Sequence, residues 1–200
     1  MEQKNVVVLM LIASVLFGAI GGAATSLAVL NQENSEEALI KKFYLTENAV
    51  LVSPHSLRIK MDKGINDYIL VDLRSKEEYE EGHIVGAINI PAYDDKATPT
   101  NNTARIIAEF SKLPKDKDII VYCYSTSCMT GRKIGKLLAE NEIYVKHLGI
   151  GWNEWRYYWN LWNHPWEFNT TNSSDYIVSG KEPGVPKIKN ESTVCAVGGC

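Results

Sequence analysis

Two hundred residues hold one ordinary domain with appendages, and an apolar fraction of 45% with ten Tyr and five Trp supplies a core and argues against wholesale disorder. Fourteen Gly and seven Pro exclude collagen-like and Pro-rich chains. The 21 Lys and Arg are scattered among 24 Asp and Glu, so a net charge of −3 offers no basic footprint, and no nucleic-acid partner is expected.

The apolar residues are unevenly spread. From Val6 to Leu30 no charged residue occurs, and only Ser14, Thr25 and Ser26 interrupt the run. At about 1.5 Å per residue such a helix crosses a hydrocarbon core roughly 30 Å thick. Small residues at Ala23, Ala24 and Ala28 suit a cleavage site, but a cleaved apolar region is usually shorter, so a retained single-pass anchor is expected. The charges flanking the run bias its amino terminus slightly inward. Asn-x-Ser/Thr triplets begin at Asn101, Asn169, Asn172 and Asn190. Both features lean toward the bulk of the chain lying outside the cytoplasm.

Residues 1–35 therefore read as anchor and linker, 36–168 as the folded domain, and 169–200 as a polar tail with a cysteine pair. Glu36 to Tyr44 reads as a short helix. Beyond it, the apolar runs Tyr68–Val71, Ala87–Ile90 and Ile119–Tyr122 have strand length. Helix-forming stretches separate them: Ser75 to Glu81, Thr103 to Leu113 and Thr130 to Asn141. Buried strands alternating with helices specify an α/β sandwich, with a mostly parallel central sheet and helices on both faces. Trp152, Trp155, Trp159 and Trp162 recur at helical spacing, which predicts one core-facing stripe continued by Trp166. Tyr157, Tyr158 and part of that stripe also suit a membrane interface. From Asn169 to Ser192 neither helical nor strand periodicity is visible, and an extended or mobile tail is expected.

The chemistry concentrates in Ile119 to Leu138. An apolar strand runs into Cys123-Tyr124-Ser125-Thr126-Ser127-Cys128, and an amphipathic helix follows. In parallel sheets, ligands sit beyond the carboxyl ends of strands. A cysteine there faces unpaired backbone N–H groups and the positive end of the helix dipole, surroundings that favour the nucleophilic thiolate. The bland alternative is a buried structural cysteine.

These residues, with others in the same order, resemble the rhodanese-like sulfurtransferases. Val71-Asp72-Leu73-Arg74, then Glu77-Glu78-Tyr79 and Gly82-His83-Ile84-Val85-Gly86-Ala87-Ile88-Asn89-Ile90-Pro91, is similar to the family's first signature. Val121-Tyr122-Cys123 resembles the strand delivering its catalytic cysteine, and Gly149-Ile150-Gly151-Trp152 through Trp155, then His164-Pro165, its closing helix. The resemblance covers roughly residues 50–168. It implies a rhodanese-like sandwich in which Cys123 accepts a sulfane sulfur, holds it as a persulfide within the loop Tyr124 to Cys128, and passes it to a thiol acceptor or acceptor protein. No metal or organic cofactor is implied. Asp72, Arg74 and His83 are implied to be structural, as an ion pair and a loop anchor.

Departures from the family pattern qualify this reading. Family loops often carry a basic residue just after the cysteine, a central Gly, and Arg at the sixth position, where Tyr124, Thr126 and Cys128 stand here. Without loop cations, an anionic donor such as thiosulfate loses charge-assisted hydrogen bonds, and weak thiosulfate activity is expected. Arg132 and Lys133, one turn into the helix, offer partial compensation. A cysteine-type phosphatase is disfavoured, because Met129 stands where its phosphate-clamping Arg belongs. Cys128 either attacks the persulfide, closes a disulfide with Cys123, or only fills the helix start. The same spacing recurs at Cys195 and Cys200, a possible redox pair, whereas zinc sites favour shorter spacings. An extracytoplasmic thiol–disulfide relay and a non-catalytic binding module are the competing functions.

Overall fold

The computed structural model describes residues 10–15, 17–18, 35–93 and 102–189. It divides into two compact units, Met1–Asn48 and Ala49–Cys200. In the first, residues 10–15 and 17–18 are helical. Most of the uncharged run of residues 6–30, and with it the expected anchor, lies outside the described residues, as do Cys195 and Cys200. Among the described residues no helix is long and apolar enough to cross a membrane. Helix α1, Glu36–Val50, buries no residue.

The second unit carries a five-stranded sheet in the order β1-β6-β5-β2-β4, with every neighbouring pair parallel. Its strands are β1 (Leu51–Val52), β2 (Tyr68–Asp72), β4 (Ala87–Asn89), β5 (Asp118–Tyr122) and β6 (Lys146–Leu148). A separate antiparallel ribbon joins β3 (His83–Ile84) to β7 (Ile177–Val178). Helices α2 (Pro54–Asp62), α3 (Lys76–Glu81), α4 (Thr103–Phe110), α5 (Thr130–Ala139), α6 (Trp152–Tyr157) and α7 (Trp159–Trp162) connect them. Local sequence explains several starts. Ser53 caps α2 with Pro54 in its first turn, and Ser75 and Glu78 form a reciprocal capping box on α3.

Strand side chains alternate between two cores because successive residues point to opposite faces. Leu70, Ile120 and Tyr122 pack with Leu57 and Met61 of α2, Tyr79 of α3, and Trp155 and Trp159. Val71, Ile119 and Val121 pack with Ile106 and Phe110 of α4 and Ile134 and Leu138 of α5. The sheet is thus covered on both faces, and continuous apolar strands are what such burial demands.

Two sequence expectations need correction. The tryptophan segment is not one helix, because Tyr158 (φ −122°, ψ 42°) breaks it into α6 and α7. Trp152, Trp155 and Trp159 are buried, Trp162 is half-buried and Trp166 is exposed, while Tyr157 and Tyr158 face solvent. Nor are the described residues after Asn169, up to Lys189, a free tail. Residues 173–176 form a 3₁₀ turn, β7 pairs with β3, and Tyr176 is buried with its hydroxyl donating to Asp62 at 2.6 Å. Gly86 N–H donates to Pro183 O, Gly180 N–H to Glu80 O and Lys189 N–H to Asp62 O. Long-range pairing of this kind leaves no local periodicity.

Candidate active site

Strand β5 is the middle strand, and the connections leaving it and its neighbour β2 diverge. After β2 the chain enters α3 on one face; after β5 it enters α5 on the other. Such a switch point opens a crevice at the carboxyl ends of the strands, and Cys123 directly follows Tyr122 there.

The loop from Cys123 to Met129 is held from three directions. The amides of Trp152 and Asn153, at the start of α6, donate to the carbonyls of Cys123 and Tyr124, each at 2.8 Å. The Glu154 carboxylate accepts the Thr126 N–H at 3.2 Å and the Gly151 N–H at 3.0 Å. Arg132 Nη1 donates to Thr126 O at 3.2 Å and Cys128 O at 3.4 Å. Within the loop, Cys128 N–H donates to Ser125 O at 3.0 Å, curling residue 128 back toward the strand end. Gly151 permits this approach, since a β-carbon there would overlap the backbone of Tyr124 and Ser125.

The result is a pair of sulfurs. Cys123, 2% exposed, and Cys128, half-buried, are both free cysteines whose Sγ atoms lie 2.9 Å apart. Burial raises the Cys123 thiol well above its ordinary value, and the neighbouring Cys128 sulfur raises it further against the Tyr124 amide and Thr130 hydroxyl. Burial also opposes ionisation of Cys128, but Cys123, the hydroxyl and amide of Thr130, and the Tyr124 amide together hold it below its ordinary value. The pair shares its first ionisation. Cys128, which is more exposed and collects more donors, is therefore the easier of the two to ionise. The expectation of a readily ionised Cys123 is therefore displaced onto its partner.

The other loop residues point elsewhere. Tyr124 donates its hydroxyl to Glu78 of α3. Ser125 is half-buried, and Thr126 and Ser127 are exposed. Arg132, engaged with two loop carbonyls, does not supply the cation absent from the loop. A hollow of about 640 Å³ lies against α5, β5 and β6, lined by Gly131, Arg132 and His147, but neither cysteine lines it. His147 has its pKa lowered by burial and by Arg132.

Beside the loop sits a buried network. Asp72 accepts from Arg74 Nη2 at 2.6 Å and Nε at 3.1 Å, and from the Tyr122 hydroxyl at 2.6 Å. Arg74 Nη2 also donates to Gly82 O at 2.7 Å, and its guanidinium lies 4.4 Å from the centre of the Trp152 ring. Burial alone would lower the Arg74 pKa, yet its bonds to Asp72 raise it, so the charge persists. His83 stacks on Tyr79 at 3.6 Å and contacts the carbonyls of Tyr79 and Glu182 at 2.8 and 3.1 Å. These three residues bind the strand end to α3 and to the C-terminal segment.

Sequence reasoning missed Thr130 and Glu154, and named Gly151 only as part of the closing-helix motif. Thr130 was legible only as a helix start, and nothing local marks Glu154, whose carboxylate reaches the loop from 28 positions away. One further group among the described residues brings ligand-type atoms together. Side chains of His55, His164 and Glu167 lie within 4.8 Å of one another. Glu167 is ion-paired with the buried Arg58 and accepts the His164 N–H at 3.0 Å, which ties the segment after α7 to α2.

Comparison with known proteins places the chain in a family. The rhodanese-like domain family matches residues 53–157, more than half of the chain. An HTH-type transcriptional regulator of Mycobacterium tuberculosis is 36% identical over 87 residues, 44% of this chain and 34% of that protein. A tRNA sulfurtransferase of Pyrobaculum aerophilum is 32% identical over 75 residues, 38% of this chain and 13% of that protein. The chain thus spans about a third and about an eighth of these relatives. A Bacillus halodurans protein of solved structure is 29% identical, with a TM-score of 0.49 over 60% of this chain and 81% of that one. With its central parallel sheet, its strand-end cysteine and the extent of the family match, the chain belongs to the rhodanese-like domain family.

Proposed function

We propose that the protein is a sulfurtransferase in which Cys123 takes a sulfane sulfur from a donor, carries it as a persulfide and passes it to a thiophilic acceptor. The observation that carries this reading is the placement of Cys123 at the carboxyl end of the central strand, at the switch point, with the Tyr124 amide and Thr130 hydroxyl turned toward its sulfur. The first sulfur transfer needs no metal: the Cys123 thiolate attacks the outer sulfur of a persulfide donor, and the donor leaves as a thiolate. Because Cys128 is the easier of the two to ionise, that attack begins with the proton moving from Cys123 to Cys128.

The loop favours donors whose sulfur is carried on a thiol over thiosulfate, since it lacks cations and Arg132 is occupied by carbonyls. Similarity to a tRNA sulfurtransferase supports sulfur transfer as the reaction class. Its tRNA substrate is not carried over, because the match covers 13% of that protein. The test is turnover of the full chain with a low-molecular-weight persulfide and a thiol acceptor. Cys123→Ser is expected to drop sulfur delivery to the uncatalysed background. Undiminished delivery would refute the reading and favour a non-catalytic module.

The uncharged run from Val6 to Leu30 supports a membrane anchor that holds the domain outside the cytoplasm. In isolated membranes the full chain is expected to resist extraction at alkaline pH and to be digested by protease only from the extracytoplasmic side. Release into the alkaline supernatant would overturn the anchor.

A further inference from the structure

Resting on the persulfide reading above, we propose that Cys128 is a resolving thiol that converts the Cys123 persulfide into a Cys123–Cys128 disulfide and expels hydrosulfide. The protein would then reduce sulfane sulfur at the expense of a dithiol, in addition to handing it to an acceptor.

Three observations lead there. First, the two Sγ atoms are 2.9 Å apart, so a closure of about 0.9 Å reaches the roughly 2.05 Å length of a disulfide bond. Second, this approach is built into the loop. The Cys128 N–H to Ser125 O bond curls the chain, Arg132 holds the carbonyls of Thr126 and Cys128, and Glu154 holds the Thr126 amide. A cysteine merely filling the helix start would not need its sulfur aimed at the strand end. Third, access is divided between the two sulfurs. Cys123 is buried while Cys128 is half-buried, so a bulky acceptor meets Cys128 before it meets Cys123.

The bonds balance as follows. The donor thiolate released in the first transfer takes the proton from Cys128; the Cys128 thiolate then attacks Cys123 Sγ, the inner sulfur of the persulfide, and a Sγ–Sγ bond forms. The bond from Cys123 Sγ to the outer sulfur breaks, and that sulfur leaves as HS⁻ with the electron pair and the hydrogen it already carried. The sulfane sulfur gains two electrons, and the two cysteine sulfurs lose them. An external dithiol then reduces the disulfide and is itself oxidised. Attack on the inner sulfur is favoured because that is the atom Cys128 already touches.

The experiment uses the full chain carrying Cys195→Ser and Cys200→Ser, so that only Cys123 and Cys128 remain of the four cysteines. The protein is reduced, freed of reductant and treated with a limiting low-molecular-weight persulfide. Hydrosulfide is then measured, and each cysteine is mapped by differential alkylation. With Cys128 present, hydrosulfide should appear in a burst stoichiometric with the chain, leaving a Cys123–Cys128 disulfide. In Cys128→Ser, and in Cys128→Ala run beside it, the burst should be lost and a persulfide should accumulate on Cys123. A persulfide that persists while Cys128 stays alkylatable overturns the resolving role alone. So does an undiminished burst in the two variants. If no variant ever acquires sulfur at Cys123, both the resolving role and the underlying persulfide reading fail. The disulfide map of the chain that retains Cys128 needs neither substitution at that position, so misfolding of the variants does not shield the proposal.

Discussion

At the scale of single residues, the site is governed by where charge is tolerated. A strand-end cysteine facing helix amides looks like an easily ionised thiol, and the sequence shows that position plainly. It does not show that Cys123 is 2% exposed, or that a second sulfur competes for the same donors. Burial of Cys123 then leaves Cys128 the easier of the two to ionise. Near neutral pH a small alkylating agent should therefore modify Cys128 ahead of Cys123, as peptide mapping would show. The Asp-x-Arg element behaves differently. Asp72 is fully buried and neutralises Arg74 while accepting from Tyr122. Removing one charge from such a pair strands the other in a low-dielectric interior. Asp72→Asn is expected to cost about 3–5 kcal/mol in denaturant unfolding. A cost within experimental error would mean that Arg74 finds another partner.

At the scale of elements, legibility followed how local the cause is. Strands β2, β4 and β5 and helices α3, α4 and α5 stand where apolar runs and capping residues put them, to within a few residues. Strands β1, β3, β6 and β7 were not visible, because none of these two- and three-residue pairings lies in an apolar run of the kind that marks β4. The tryptophan stripe was legible as core, with Trp155 fully buried, but the break at Tyr158 was not. The loop depends on elements remote in sequence, above all the start of α6. Gly151→Ala places a methyl group against the backbone of Ser125, and overpacking of that kind costs about 1–3 kcal/mol. Sulfur turnover is expected to fall further than this stability loss explains, because relief of the overlap moves the loop and parts the sulfurs. Wild-type turnover in a folded Gly151→Ala protein would show that the approach of α6 does not set the site.

At the scale of the whole molecule, the C-terminal segment closes the domain. Tyr176 and Lys189 meet Asp62, Glu182 meets His83, and β7 completes the ribbon with β3. Charge balance also makes the domain acid-sensitive in a defined order. His147 binds its proton less readily when folded, so the unfolded chain takes up protons first and stability declines as pH falls below roughly 6.5 toward the lowered value. Glu167 has a lowered pKa because, although burial opposes it, the His164 N–H and Arg58 favour its carboxylate. Its contribution is present above roughly pH 4.3 and is lost as pH drops through the folded value. Thermal unfolding across this range should show the earlier decline, and His147→Gln should remove that decline while leaving the later one. A pH profile unchanged by His147→Gln would exclude His147 as its source.

The sequence alone determined the α/β layering, the strand that ends in Cys123 and the family, because burial periodicity, capping and motif order are written in contiguous residues. Only the tertiary structure decided that Cys128 turns back onto Cys123, that Cys128 is the easier of the two to ionise, and that residues 173–189 are docked rather than free. Those outcomes depend on Glu154, Arg132, Gly151 and Asp62 arriving from distant parts of the chain, and a contact between remote residues leaves no trace in local pattern.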